Sequence, residues 1–313
     1  MRAIQITEFN GPLQLAEVEA PVAGSDELLV TLTLAAVNPL DVWACQGNFS
    51  AVTKLPHIPG AEGLGRAENG ELGLVNGAGI GISRPGTYAE LVTVPVAAWI
   101  PISAEIPSEI AVSMAIAGVT AWQSLNVLAK VRSDDTVLVL GASGGVGSLA
   151  AQLARNVGST VIGQSSNRAK TASVEALGVE SIVAANGEQL VEALGDRKVS
   201  VVIDGLGGTF TPAAISCMLP FGRLVNYGTS AGVDVTLQMR NLYRNGITVF
   251  GYTGLLLTVE QKVAALKSLF AEFAAERLVL EVSDVLPLSE ANDAHRRILA
   301  REVTGKVVLD VTR

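Results

Sequence analysis

The chain has 313 residues, 49% hydrophobic and 17% charged, with a net charge of −8. That length suffices for two domains, and the aliphatic richness excludes disorder. The acidic balance argues against a nucleic-acid or anionic-membrane surface, and no run of about 18 apolar residues occurs to span a membrane.

The N-terminal Met1-Arg2-Ala3-Ile4-Gln5-Ile6 alternates like a strand and lacks a signal peptide's long apolar centre. Strand runs follow at 28–37 and 88–94, separated by turn signals such as Asn38-Pro39, Asn69-Gly70 and Pro85-Gly86. This is the pattern of a strand-and-loop domain, a partly open barrel. From residue 136 the pattern changes. Short apolar strands at 136–140, 160–163, 181–183, 199–204, 223–227 and 247–251 alternate with helices at 146–157, 169–177, 188–194, 211–218 and 237–245. Six strands with crossover helices specify a doubly wound parallel α/β sheet. A helix at 258–276, a strand at 278–282, a helix at 289–300 and a strand at 306–311 close the chain. These are too few for a domain of their own, so the expected division is 1–115 with 255–313, and 116–254. Cys45 and Cys217 make no disulfide framework and read as reduced thiols, which places the protein in the cytoplasm.

The stretch Val137-Leu138-Val139-Leu140-Gly141-Ala142-Ser143-Gly144-Gly145-Val146-Gly147 reads as a buried strand, a glycine turn and a helix start. Such a turn suits a diphosphate: the backbone approaches the anion closely and the helix N-terminus attracts it. Its form is A-x-G-x-x-G rather than the usual G-x-G-x-x-G. An NAD site usually carries an acidic residue about 20 positions further on. Here Gln164-Ser165-Ser166-Asn167-Arg168-Ala169-Lys170 contains none. Ser166, Arg168 and Lys170 would instead bind a 2′-phosphate, so the expected cofactor is NADPH.

Taken in order, several motifs resemble the medium-chain dehydrogenase/reductase superfamily, and within it the zinc-free quinone oxidoreductases related to zeta-crystallin. They are Ala36-Val37-Asn38-Pro39-Leu40-Asp41, Ile58-Pro59-Gly60-Ala61-Glu62-Gly63, Gly86-Thr87-Tyr88-Ala89-Glu90, Ala117-Gly118-Val119-Thr120-Ala121-Trp122, Gly144-Gly145-Val146-Gly147 and Gly305-Lys306-Val307-Val308-Leu309. The resemblance implies a six-stranded Rossmann domain for NADPH and a GroES-like, β-rich catalytic domain. It implies Asn38 and Asp41 on the nicotinamide side and Thr120 near the cofactor. Ser143, Gly144, Gly145 and Val146 would face the diphosphate. Ser166 and Lys170 would take the 2′-phosphate, and Arg301 would approach it from the C-terminal segment. Tyr227, Gly228, Thr229, Ser230, Phe250 and Tyr252 would line the cofactor. Trp43 and Phe49 stand where relatives often have tyrosines; they would wall an apolar substrate pocket but carry no phenolic proton.

A catalytic zinc needs about three protein ligands. The chain offers only Cys45, Cys217, His57 and His295, with Ala61 and Asn38 where zinc relatives place ligands. No metal is therefore expected, although Cys45, His57 and Glu62 are close in sequence. Glu62 reads either as a catalytic carboxylate or, preferably, as half of a buried ion pair. Without zinc, alcohol oxidation is disfavoured. The expected reaction is hydride transfer from NADPH to a quinone or an enone near Trp43 and Phe49. Asn38, Thr120, Tyr252 or water would donate to the developing oxyanion. A noncatalytic NADPH-binding protein is the remaining alternative. The strand near 247–252 would be an exposed edge able to pair with a second copy, giving a homodimer.

Overall fold

In the computed structural model, which describes residues 1–49 and 54–313, the chain groups into two units. The first is Met1–Ile116 with Gly254–Lys267 and Glu281–Arg313; the second is Ala117–Thr253 with Ser268–Leu280.

The first unit opens with the antiparallel pair β1 (Arg2–Gln5) and β2 (Gln14–Glu17). Its longest strand is β3 (Glu27–Val37), followed by the short helix α1 (Pro39–Cys45). Then come β4 (Glu62–Ala67), β5 (Leu72–Asn76), β6 (Leu91–Pro95), β7 (Trp99–Pro101) and helix α2 (Ser108–Met114). Hairpin β4–β5 turns at Gly70, whose φ of +82° is open to glycine at little steric cost. The apolar residues of β1, β3, β6 and the C-terminal strand share one core, among them Ile4, Leu32, Val37, Val92 and Leu309, with Ile6 and Tyr88 from just outside the strands.

The second unit begins with α3 (Ala117–Trp122), which runs into a π-helical segment, Gln123–Ala129. The remaining elements alternate: β8 (Thr136–Leu140), α4 (Gly145–Val157), β9 (Thr160–Ser165), α5 (Thr171–Glu175), β10 (Glu180–Val183), α6 (Gly187–Leu194), β11 (Val199–Asp204), α7 (Phe210–Ser216), β12 (Met218–Asn226), α8 (Met239–Asn245) and β13 (Thr248–Gly251). The sheet is wholly parallel, in the order β10-β9-β8-β11-β12-β13. Its strands are continuous apolar runs because helices cover both faces; Leu138, Leu140, Val202 and Leu224 are fully buried. The order reverses between β8 and β11, and ligands of such sheets bind outside the carboxyl ends at that point.

Helix α9 (Val259–Ala274) begins in the first unit and ends in the second. The first unit is completed by β14 (Val282–Pro287), α10 (Ala291–Leu299) and β15 (Lys306–Asp310), and its larger sheet runs β14-β15-β3-β4-β5-β7 with β6 also on β3. Two expectations are corrected here. Residues 268–280 group with the second unit rather than the first. The strand expected at 278–282 lies instead at Val282–Pro287. Leu278 and Leu280 are buried in alternation, as in a strand, but Val279 exchanges both backbone bonds with one side chain. Its N–H donates to Gln152 Oε1 at 2.8 Å and its carbonyl accepts from Gln152 Nε2 at 2.8 Å.

Candidate functional site

The glycine turn follows β8. Gly141 has φ +74°, and its N–H donates to Gln164 Oε1 at 2.8 Å. Ala142 N–H donates to the Gln164 carbonyl at 2.8 Å, while Gln164 Nε2 donates to Ala184 O at 2.6 Å. One buried glutamine at the end of β9 thus knots the turn to the exit of β10. Gly144 N–H closes the turn onto Gly141 O at 3.0 Å. A Cβ on Gly147 would lie 2.2 Å from Gly141 O, so only glycine lets α4 pack this close. A Cβ on Gly144 would meet nothing nearer than 3.5 Å, which leaves space above the turn. Ser143 is buried; Gly145 and Val146 are half-exposed at the first turn of a 13-residue helix. The N–H groups of that turn have no intrahelical acceptor, which makes the turn a fit for an anionic diphosphate.

At the carboxyl end of β9 the chain carries no acid. Ser165 Oγ is buried and donates to Asn167 O at 3.2 Å. Ser166 is half-buried, Arg168 exposed and Lys170 half-exposed, all on one short turn ending in a 3-10 helix at Arg168–Lys170. Beyond β12, Tyr227, Gly228, Thr229 and Ser230 wrap over Gly205, with Ser230 Oγ donating to Gly205 O at 2.9 Å. Phe250 is the β13 partner of Val225, and Tyr252 N–H donates to Asn226 O at 2.9 Å. The fold therefore brings these two groups to neighbouring strand ends. Burial raises the Tyr252 hydroxyl, and Thr120, itself buried, opposes that shift from across a side-chain contact.

In the first unit, Asn38 and Asp41 share a buried network. Asn38 N–H donates to Asp41 Oδ2 at 2.8 Å, and Ala61 N–H donates to Asp41 Oδ1 at 2.8 Å. These bonds fix the first turn of α1. Asn38 Nδ2 donates to Glu62 Oε1 at 2.9 Å and to Ala36 O at 3.3 Å. Both amide hydrogens are thereby engaged, so Asn38 has none to offer a substrate oxygen. Glu62 is the expected ion-pair half: it is fully buried 2.8 Å from Lys306 Nζ. Burial raises Asp41 to about 7, helped by the nearby Glu62 charge. Tyr88 Oη lies 3.3 Å from Asp41 Oδ2 and 3.3 Å from His295 Nε2, and burial lowers His295 to about 4. Trp43, on α1, is half-buried; Phe49 packs beside Ala44 and Ile82. Arg301 belongs to the first unit, on the exposed turn after α10, with φ +55°.

Sequence reading gave no role to Gln164, Lys306, Tyr88 or His295. For Lys306 a signal was present: a lysine heading the apolar run Val307-Val308-Leu309 requires a buried anion. Among the described residues no three His, Cys, Asp or Glu side chains converge as metal ligands would. Cys45 lies in the apolar core with its thiol pushed up to about 12 by burial, and His57 Nε2 donates to Gly81 O at 3.0 Å. No single helix among them is long and apolar enough to cross a membrane.

A doubly wound unit with a diphosphate-fitting turn, together with a β-rich unit, defines a two-domain nicotinamide-type oxidoreductase. A family model described as zinc-binding dehydrogenase matches residues 145–271. A probable quinone oxidoreductase of Schizosaccharomyces pombe is 27% identical, over 98% of this chain and 96% of its own. A solved NAD-dependent alcohol dehydrogenase is 29% identical with a TM-score of 0.87, covering 99% of both chains. A mycobacterial structure complexed with NADPH is 26% identical with a TM-score of 0.88, covering 99% of both. Over nearly its whole length the chain is similar to the medium-chain dehydrogenase/reductase superfamily and, within it, to the zinc-free quinone oxidoreductase branch.

Proposed function

We propose that this protein is an NADPH-dependent, metal-independent reductase whose acceptor is a quinone. The observation that carries the reading is the acid-free turn from Gln164 to Lys170, where a serine and two cations stand in place of the carboxylate that would repel a 2′-phosphate. When bound, NADPH supplies the hydride. The N–H groups of the first turn of α4, with Ser143, Gly144, Gly145 and Val146, hold the diphosphate. Ser166, Arg168 and Lys170 hold the 2′-phosphate. Tyr227 to Ser230, Phe250 and Tyr252 wall the cofactor.

Trp43 and Phe49 take the flat face of the acceptor. Thr120, backed by Tyr252, or a water donates to the acceptor oxygen as charge develops. Asn38 and Asp41 position rather than donate, because their polar atoms are engaged internally. One hydrogen of the quinol arrives as the hydride and the other as a proton from water. The protein acts in the cytoplasm as a homodimer joined through the edge strand β13.

The test is NADPH oxidation against a panel of acceptors. Turnover with 1,2-naphthoquinone but not with 2-alkenals is the expected result. The reverse would make the protein an enone double-bond reductase. Tight NADPH binding without turnover on any acceptor would make it a noncatalytic binding protein.

A further inference from the structure

We propose that Lys306 and Glu62 are positioning residues for the reduction: the buried pair sets the single orientation of the Asn38 amide and, through it, the start of helix α1 and the place of Trp43. The inference rests on the reading that α1 faces the acceptor.

The network is closed. Lys306 Nζ donates to Glu62 Oε1 at 2.8 Å, Asn38 Oδ1 at 2.6 Å and Val37 O at 3.2 Å. An ammonium has three donors, and all three are used. Glu62 Oε1 also accepts from Asn38 Nδ2, and Oε2 accepts from Ile116 N–H at 2.6 Å. The Asn38 amide cannot be reversed, because its NH2 would then face the Lys306 ammonium and its oxygen the Glu62 carboxylate. Glu62 is fully buried and the Lys306 side chain is 5% exposed. A buried ion pair is a poor way to stabilise a core, since apolar residues of similar volume do as well or better. What the pair provides here is direction. Asn38 precedes α1, and Asp41 in the first turn ties α1 to Ala61, the neighbour of Glu62. Two adjacent residues of one segment thus hold the beginning of α1 by separate bonds. Trp43 lies on that same helix, two residues past Asp41.

The test compares wild type, Lys306→Met and the double variant Glu62→Gln/Lys306→Met. The single variant leaves Glu62 unpaired and is expected to lose stability. The double variant removes both charges but leaves the introduced amide NH2 facing a donor, so it is expected to lose less stability than Lys306→Met and to remain folded. In it the KM for the quinone should rise and kcat/KM should fall by about ten- to a hundredfold, as displaced reacting groups do. The Kd for NADPH should not change; a merely structural role would leave the quinone KM in place. Asn38 side-chain hydrogen exchange, read by NMR on protein labelled with 15N-asparagine, gives a second measure. Exchange should be slow in wild type and fast in the double variant. Unaltered kcat/KM, or an Asn38 amide still protected in the double variant, would overturn the proposal. A wild-type protein inactive toward every acceptor would remove the reductase reading instead, while the exchange rates would still decide whether the pair holds Asn38.

Discussion

Replacing Gly147 by alanine isolates the contact on which the cofactor turn depends. The added Cβ would lie 2.2 Å from Gly141 O, 2.8 Å from Gly141 C and 2.9 Å from Ala142 Cα. All three are backbone atoms, so no side chain can swing away. To reach an ordinary contact the helix and turn must separate by about 1 Å. Overpacking of this kind costs about 3 kcal/mol at the upper end of its usual range. Alanine returns about 1 kcal/mol of helix propensity. The net loss is about 2 kcal/mol, or about 4–8 °C in the unfolding temperature of a unit of 150–250 residues. NADPH affinity should fall by more than about tenfold, because the N–H groups move off the phosphates. Gly144→Ala is the control: its Cβ has 3.5 Å of clearance, so stability should change by less than about 0.5 kcal/mol. Calorimetry and NADPH fluorescence titration measure both quantities. A Gly147→Ala protein that melts and binds like wild type would refute the reasoning.

Three further outcomes are expected. Lys170→Ala should raise the KM for NADPH much more than that for NADH; equal effects would remove the phosphate argument. His295 is lowered from 6.5 to about 4, so the unfolded chain takes up the proton first as pH falls. Its contribution is whole above 6.5, drains away toward pH 4, and amounts to roughly 3 kcal/mol. Asp41, raised from 3.8 to about 7, acts in the opposite sense over the same range. Wild type and His295→Gln are therefore compared at each pH by urea titration, and the variant should show less acid loss. Parallel curves would show that the term is absent. Val249, 43% exposed on the outermost strand β13, should be replaceable by lysine without unfolding. Size-exclusion chromatography should then give a dimer for wild type and a monomer for Val249→Lys; identical elution would remove β13 from the interface.

The doubly wound sheet was legible because its strands are buried on both faces and punctuated by turns. The first unit was less so. Strands β4 and β5 escaped the pattern because they carry glycines, which weaken a strand signal. The structure shows their purpose: a Cβ on Gly65 would lie 2.2 Å from Thr31 O, and one on Gly73 would lie 2.4 Å from Trp99. Close strand approach, not flexibility, selected them. The motif around Asn38 was visible, but the use of its amide was not, because Lys306 arrives from 268 residues away. A side chain with a plausible chemical role can be fully engaged by a partner that no local window contains. The expected strand at 278–282 failed in a similar way: Val279 has its backbone bonds met by the Gln152 side chain rather than by a neighbouring strand.

Gln164 limits how this protein could be re-engineered. Its side chain joins Gly141 N–H to Ala184 O, so a glutamate there would set a carboxylate against a carbonyl and slacken the turn. If the cofactor is NADPH as proposed, a redesign toward NADH would have to begin one or two positions later, at Ser165 or Ser166. On that reading, the integrity of the turn and the choice of coenzyme are held within one seven-residue stretch, and Gln164 is the position least free to drift.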